Sequence, residues 1–117
     1  MEHNALFWEY LEKIVHDNEI IIDRPKGSRH PKYNHIVYIA DYGYIKGTSS
    51  MDNSGIDIFL GTDPEKKIDS IICTIDMVKK DSEIKILMGC TEKEKRDIYD
   101  FLNNSEYFKA VLVRRLD

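Results

Sequence analysis

DRPKGSRHPKYNHIVYIADYGYIKGTSSMDNSGIDIFLG, residues 23–61, sets the fold and carries most of the chemistry. Its two apolar runs read as strands. Residues 36–45 (IVYIADYGYI) are rich in β-branched and aromatic side chains, and residues 56–60 (IDIFL) put Asp57 on the face opposite Ile56 and Ile58. Between them GTSSMDNSG, residues 47–55, is a loop of turn formers. Ahead of the first strand lies a donor-rich loop in which Arg24, Lys26, Arg29 and Lys32 alternate with His30 and His35. Pro25 stops the strand before it, and Pro31 biases His30 toward extended geometry. Tyr38, Tyr42 and Tyr44 follow, spaced to share one face if the segment is extended. Cations and phenols on one side, with the carboxylates Asp52 and Asp57 on the other, suit a small polyanion that arrives with Mg²⁺.

Toward the N-terminus, residues 19–23 (EIIID) predict a short strand, preceded by an N-terminal helix within residues 1–18. Asn4 is placed to cap that helix, and Phe7, Tyr10, Leu11 and Ile14, widened by Trp8 and Val15, form its apolar stripe. Toward the C-terminus, residues 68–78 and 83–88 predict a hairpin turning at 79–82. Thr91 and Glu94 make a capping-box signature for a helix over 91–104, with Ile98, Phe101 and Leu102 facing inward. The tail, 105–117, fits a strand or further helix equally well. The sum is an α+β chain, mainly β: one domain over 1–117, with a small five-stranded OB-like barrel in 19–90 and a helix near each end.

A formal charge of -4 and a pI near 5.6 disfavour nucleic acid as a partner. Stacking of bases on Tyr38, Tyr42 and Tyr44 is the reading that this balance weakens. Cys73 and Cys90 stand far apart and lack CxxC spacing, so they read as reduced, small apolar residues in a cytoplasmic protein. No apolar run approaches the roughly 20 residues needed to cross a bilayer. The sequence leaves a homo-oligomer open.

IIIDRPKGSRHPKY, YIADYGYIKG and DNSGID together resemble the soluble metal-dependent inorganic pyrophosphatases, especially a short bacterial group, over residues 20–102. The family's Y-x-x-N-Y-G-Y segment is similar to Tyr38–Tyr44, and its D-G-D-P-x-D loop to Asp52–Asp57. The resemblance implies a five-stranded barrel that hydrolyses pyrophosphate to phosphate with Mg²⁺, or Mn²⁺ as a substitute. It implies Asp52, Asp57, Glu83 and Asp23 as metal ligands, with Asp76 a weaker candidate. It also implies Lys32, Tyr42 and Lys85 as phosphate contacts acting in catalysis with Asp57. Tyr38 and Arg29 join the substrate contacts from the cationic and tyrosine-rich stretch.

The departures from the family are as informative. Ser54 stands where the acidic loop has an aspartate that helps deprotonate the attacking water, and a hydroxyl is no base at neutral pH. This motivates a second reading, a weak or inactive module that binds phosphate, pyrophosphate or a nucleotide. The hairpin that carries a phosphate-binding arginine in the family is shortened, leaving Arg24 or Arg29 as substitutes, and Tyr107 with Lys109 as substitutes for a late Tyr-Lys pair. The ordinary alternatives are turn chemistry for Asp52, solvation for Lys32 and Lys85, and core or rim packing for the tyrosines.

Overall fold

A computed structural model describes residues 2–50 and 54–116. Helix α1 (Ala5–Asp17) starts where Asn4 accepts a hydrogen bond from the Leu6 backbone N–H at 3.0 Å. It turns Trp8, Leu11 and Val15 inward, while Phe7 and Tyr10 remain largely exposed. The buried stripe is therefore rotated from the expected one. Both sets obey helical spacing, and the sheet selects the set holding the bulky indole.

Six strands follow: β1 (Ile20–Arg24), β2 (Asp41–Ile45), β3 (Ile56–Leu60), β4 (Ile68–Asp76), β5 (Asp81–Met88) and β6 (Phe108–Arg114). Helix α2 (Glu92–Leu102) lies between β5 and β6. The strands form one sheet in the order β1-β2-β3-β5-β4-β6, with β3 and β5 parallel and every other pair antiparallel. The expected strand over 36–45 is shorter, since only Asp41–Ile45 joins the ladder and Val37 makes an isolated bridge to Arg29.

The expected five-stranded barrel is not formed: the sheet has six strands and stays open. The tail supplies the sixth by pairing with β4. Closure would require β6 to offer its outer edge, and the Asn103 side chain already occupies it. Asn103 Nδ2 donates to the Ala110 carbonyl at 3.1 Å, and its Oδ1 accepts the Ala110 N–H at 2.9 Å, as a neighbouring strand would.

The sheet separates two cores. Strand alternation sends Ile45, Ile58, Ile71 and Ile86 to one face, where Trp8, Leu11 and Val15 of α1 cover them. It sends Phe59, Ile72, Leu87 and Ala110 to the other, against Ile98 of α2 and Cys90. Ile58 and Ile86, like Phe59 and Leu87, are register partners and fully buried, each contributing roughly 2 kcal/mol of hydrophobic stabilisation. The capping box of α2 is complete, with Thr91 Oγ1 accepting from Glu94 N and Glu94 Oε1 accepting from Thr91 N. Cys73 and Cys90 are free thiols, and burial pushes that of Cys90 up to about 12. Helix α2 covers only part of its face, and the uncovered part is polar.

Candidate active site

The register builds the polar patch. Tyr44 on β2, Asp57 on β3 and Lys85 on β5 are successive partners across three strands, so their side chains stand together on the α2 face. Tyr42 lies two residues from Tyr44, and Glu83 two from Lys85, which keeps both on that face. Lys85 is the hub. Its Nζ lies 2.8 Å from Asp57 Oδ2, 2.7 Å from the Tyr42 hydroxyl and 3.5 Å from Glu83 Oε2. The side chains of Lys85, Asp57 and Glu83 are only 8%, 14% and 12% exposed, so their attraction is little screened by water. Burial, followed by the adjacent Asp57 carboxylate, drives the Tyr42 phenol far above its ordinary value. Tyr42 is a hydrogen-bonding hydroxyl, never a phenolate.

Two backbone features set the walls. Gly43 lets β1 approach β2, because a Cβ there would lie 1.8 Å from the Ile21 carbonyl oxygen. The register of β1 shifts between Ile22 and Arg24, which brings Arg24 rather than Asp23 opposite Tyr42. The bulge thereby re-aims a cation onto the site face. Arg24 Nη1 donates to the Tyr38 hydroxyl, and Tyr38 stacks on Tyr42 with ring centroids 5.3 Å apart.

These residues border a cavity of about 690 Å³. Its charged lining comprises the carboxylates Asp23, Asp57, Asp76, Asp81 and Glu83 and the cations Arg24, Lys46, Lys79 and Lys85. Ser54, Thr74 and His30 line it as well. His30 Nδ1 accepts the backbone N–H groups of Lys32 and Tyr33 at 3.0 and 3.1 Å, which leaves its proton on Nε2. Burial, then the charges of Arg24, Lys32 and Lys79, hold its pKa below the usual histidine value.

Of the site residues expected from the sequence, Asp57, Tyr42, Lys85 and Glu83 come together, and Asp23 lines the same cavity. Tyr38 is buried behind Tyr42 instead of lining the cavity. Lys32 is exposed, with its Nζ 5.4 Å from the Tyr33 ring, and Arg29 donates to the Asn34 carbonyl at 2.8 Å. Neither lines the cavity. Asp52 lies outside the described residues. Asp76 Oδ1 accepts the Val78 and Lys79 N–H groups and so shapes the β4–β5 turn. Lys109 donates to the Asn103 carbonyl, and the cavity is lined by Phe108 between Tyr107 and Lys109. Of the two substitute arginines, Arg24 reaches the cavity.

Asp81 and Lys79 were readable only as turn residues in the sequence. Counting back by twos from Lys85 through Glu83 would have put Asp81 on the site face. Lys79 had no comparable signal.

Among the described residues no three histidine, cysteine, aspartate or glutamate side chains form a ready-made metal cluster. The donor set nonetheless fits a hard cation. The carboxylates are oxygen donors that outnumber the cations on the same wall, and Mg²⁺ needs only one or two of them beside water and substrate oxygens.

The family model for inorganic pyrophosphatase matches residues 14–111, from the last turn of α1 into β6. The chain belongs to the inorganic pyrophosphatase family. No curated protein matches it significantly. No helix among the described residues is long and apolar enough to cross a membrane.

Proposed function

We propose that the protein hydrolyses inorganic pyrophosphate, or a closely related phosphoanhydride, to phosphate with Mg²⁺, which Mn²⁺ can replace. The observation that carries this reading is the charge balance of the cavity. Five carboxylates face four cations, and Lys85 is already tied to Asp57 and Glu83. A polyanion is not drawn into such a cleft by side-chain charge alone, whereas a hard cation held by the carboxylates reverses the local sign. The proposed ligands are Asp57, Glu83 and Asp23, with Asp52 added from the acidic loop. When bound, Mg²⁺ neutralises phosphoryl oxygens and makes its water more acidic.

The chain's own groups do the positioning. Lys85 holds Asp57 and Glu83 side by side and offers its ammonium to an incoming phosphoryl oxygen. Tyr42, kept protonated by its surroundings, donates to the same anion without adding charge. The stacked Tyr38 fixes the orientation of that ring. Lys32, on the loop beside the cavity, is the proposed contact for the departing phosphate.

Ser54 favours a second reading, in which the cavity binds the anion and turns it over weakly or not at all. One assay separates them. Purified protein with Mg²⁺ is expected to release phosphate from pyrophosphate, and Asp57→Asn to abolish the release. Equal release by both proteins rejects the site, whereas Mg²⁺-dependent binding without product selects the binding module.

A further inference from the structure

Helix α1 covers only part of its own face of the sheet. On β4, Ile71 and Cys73 reach the core beneath the helix, whereas Ile75, two residues further on, is left outside it. Register extends that bare end over three strands. Cys73 is partnered by Ile84 on β5 and Val111 on β6, and Ile75 by Ser82 and Lys109. Beyond the last pair, the Met77 N–H donates to the Tyr107 carbonyl at 2.8 Å, so alternation sets Met77 and Tyr107 at the end of the same face. Ile75, Met77, Ile84, Tyr107 and Val111 are each 40–64% exposed. Between Ile75, Ile84 and Val111 lies an open hollow of about 490 Å³.

We infer that this face binds a second copy of the chain, as an isologous dimer in which β4, β5 and β6 of one protomer pack against the same strands of its partner. Area supports it. The five side chains expose roughly 500 Å² as one patch, at the upper end of what a monomer leaves bare. Val78 on the β4–β5 turn, with Ser82 and Lys109, brings the face near the roughly 800 Å² per partner of a stable dimer. Charge selects the occupant. Ser82 is neutral, and the Lys109 ammonium is drawn off to the Asn103 carbonyl at 3.0 Å, so a strongly acidic or basic partner finds little to pair with. A like apolar face fits. A two-fold axis also lets the projecting Met77 and Tyr107 of each protomer enter the hollow of the other. Ile84 stands between Glu83 and Lys85, which point to the opposite face, so the dimer backs the cavity wall and leaves both cavities open.

The test is sedimentation of the full chain from about 1 to 100 μM, the range in which an interface of this size first declares itself. The wild type is expected to reach twice the mass of one chain. Ile75→Lys and Val111→Lys each put a charge into the apolar face at an exposed position that spares both cores, and each is expected to weaken association about a hundredfold or more. Thermal unfolding at the lowest concentration checks that the variants fold. A measurement on the unaltered chain stands beside them: Cys73 is partly buried at the margin of the patch and Cys90 is buried, so the native alkylation rate reports Cys73. That rate is expected to fall in step with dimer formation. A dimer that survives both substitutions, or forms with no change in Cys73 alkylation, uses another surface and overturns the inference. A monomer at every concentration overturns it as well, and leaves the face to a different apolar partner.

Discussion

Lys85 and Asp57 are register partners on parallel strands β5 and β3, and their charged atoms meet at 2.8 Å. The same ammonium lies 3.5 Å from Glu83. A single cation thus holds two nearly buried carboxylates on one wall, at the edge of a cavity. The arrangement is structural and chemical at once, because whatever draws the ammonium toward a ligand also loosens its hold on the acids.

Removing that cation should be costly. Lys85→Met leaves Asp57 and Glu83 facing each other without their counter-charge, and breaking such a pair is expected to destabilise the fold by about 3 kcal/mol. Urea denaturation at neutral pH measures it. Adding Asp57→Asn to Lys85→Met should recover part of the loss, since one uncompensated charge is then gone. Losses that simply add would show that the two groups do not interact.

Gly43 gives the second prediction. A Cβ at this position would lie 1.8 Å from the Ile21 carbonyl oxygen and 2.9 Å from Ile22 Cα, both backbone atoms that cannot rotate away. Gly43→Ala is therefore expected to separate β1 from β2 and to cost about 4 kcal/mol, at the severe end for a single substitution. Thermal unfolding reads it out, and a wild-type melting temperature would mean that the two strands are not so closely apposed.

Much of this was legible in the sequence because it is local. The Asn4 cap and the Thr91–Glu94 box are short-range hydrogen-bond patterns, and the hairpin of β4 and β5 follows from period-two alternation around a polar turn. The cluster of Asp57, Tyr42, Lys85 and Glu83 was legible through family motifs, whose spacing encodes register. What escaped depends on long-range geometry. The tail's pairing with β4, the Asn103 side chain on the outer edge of β6, and the bulge that swings Arg24 toward Tyr42 leave no periodic trace. The inward face of α1 was ambiguous for a similar reason, since two overlapping apolar stripes obey the same spacing and only the sheet chooses between them.

His30 supplies a pH prediction. Its folded pKa lies below the ordinary 6.5, with burial the largest cause and the positive charges of Arg24, Lys32 and Lys79 behind it. Protonation of Nδ1 would also displace the Lys32 and Tyr33 N–H groups. The unfolded chain then binds the proton more readily than the folded one, so His30's contribution to stability is fully present above pH 6.5. It declines as pH falls below that value and is lost once pH drops through the depressed folded pKa. Imidazole NMR should show His30 titrating below the ordinary 6.5, and Lys79→Ala should move it upward. A His30 resonance that titrates at 6.5 in both proteins would contradict the cationic grouping.

On the proposed function, Ser54 is the residue that separates hydrolysis from mere binding. It lines the cavity and is exposed, so an aspartate can be accommodated there without disturbing either core. If pyrophosphate and Mg²⁺ already bind productively and only the proton acceptor is missing, Ser54→Asp should raise kcat by about a hundredfold, the scale of general-base assistance. KM should change little, because the new group acts on the attacking water and not on the bound anion. The pH profile provides the signature: the variant should gain an acidic limb, with activity rising as the carboxylate ionises, that the wild type lacks. Steady-state phosphate release from pH 5 to 9 in saturating Mg²⁺ measures both. A variant with unchanged kcat and no new limb would place the proton acceptor elsewhere on the cavity wall, where Asp23, Asp76 and Asp81 are the carboxylates not tied to Lys85.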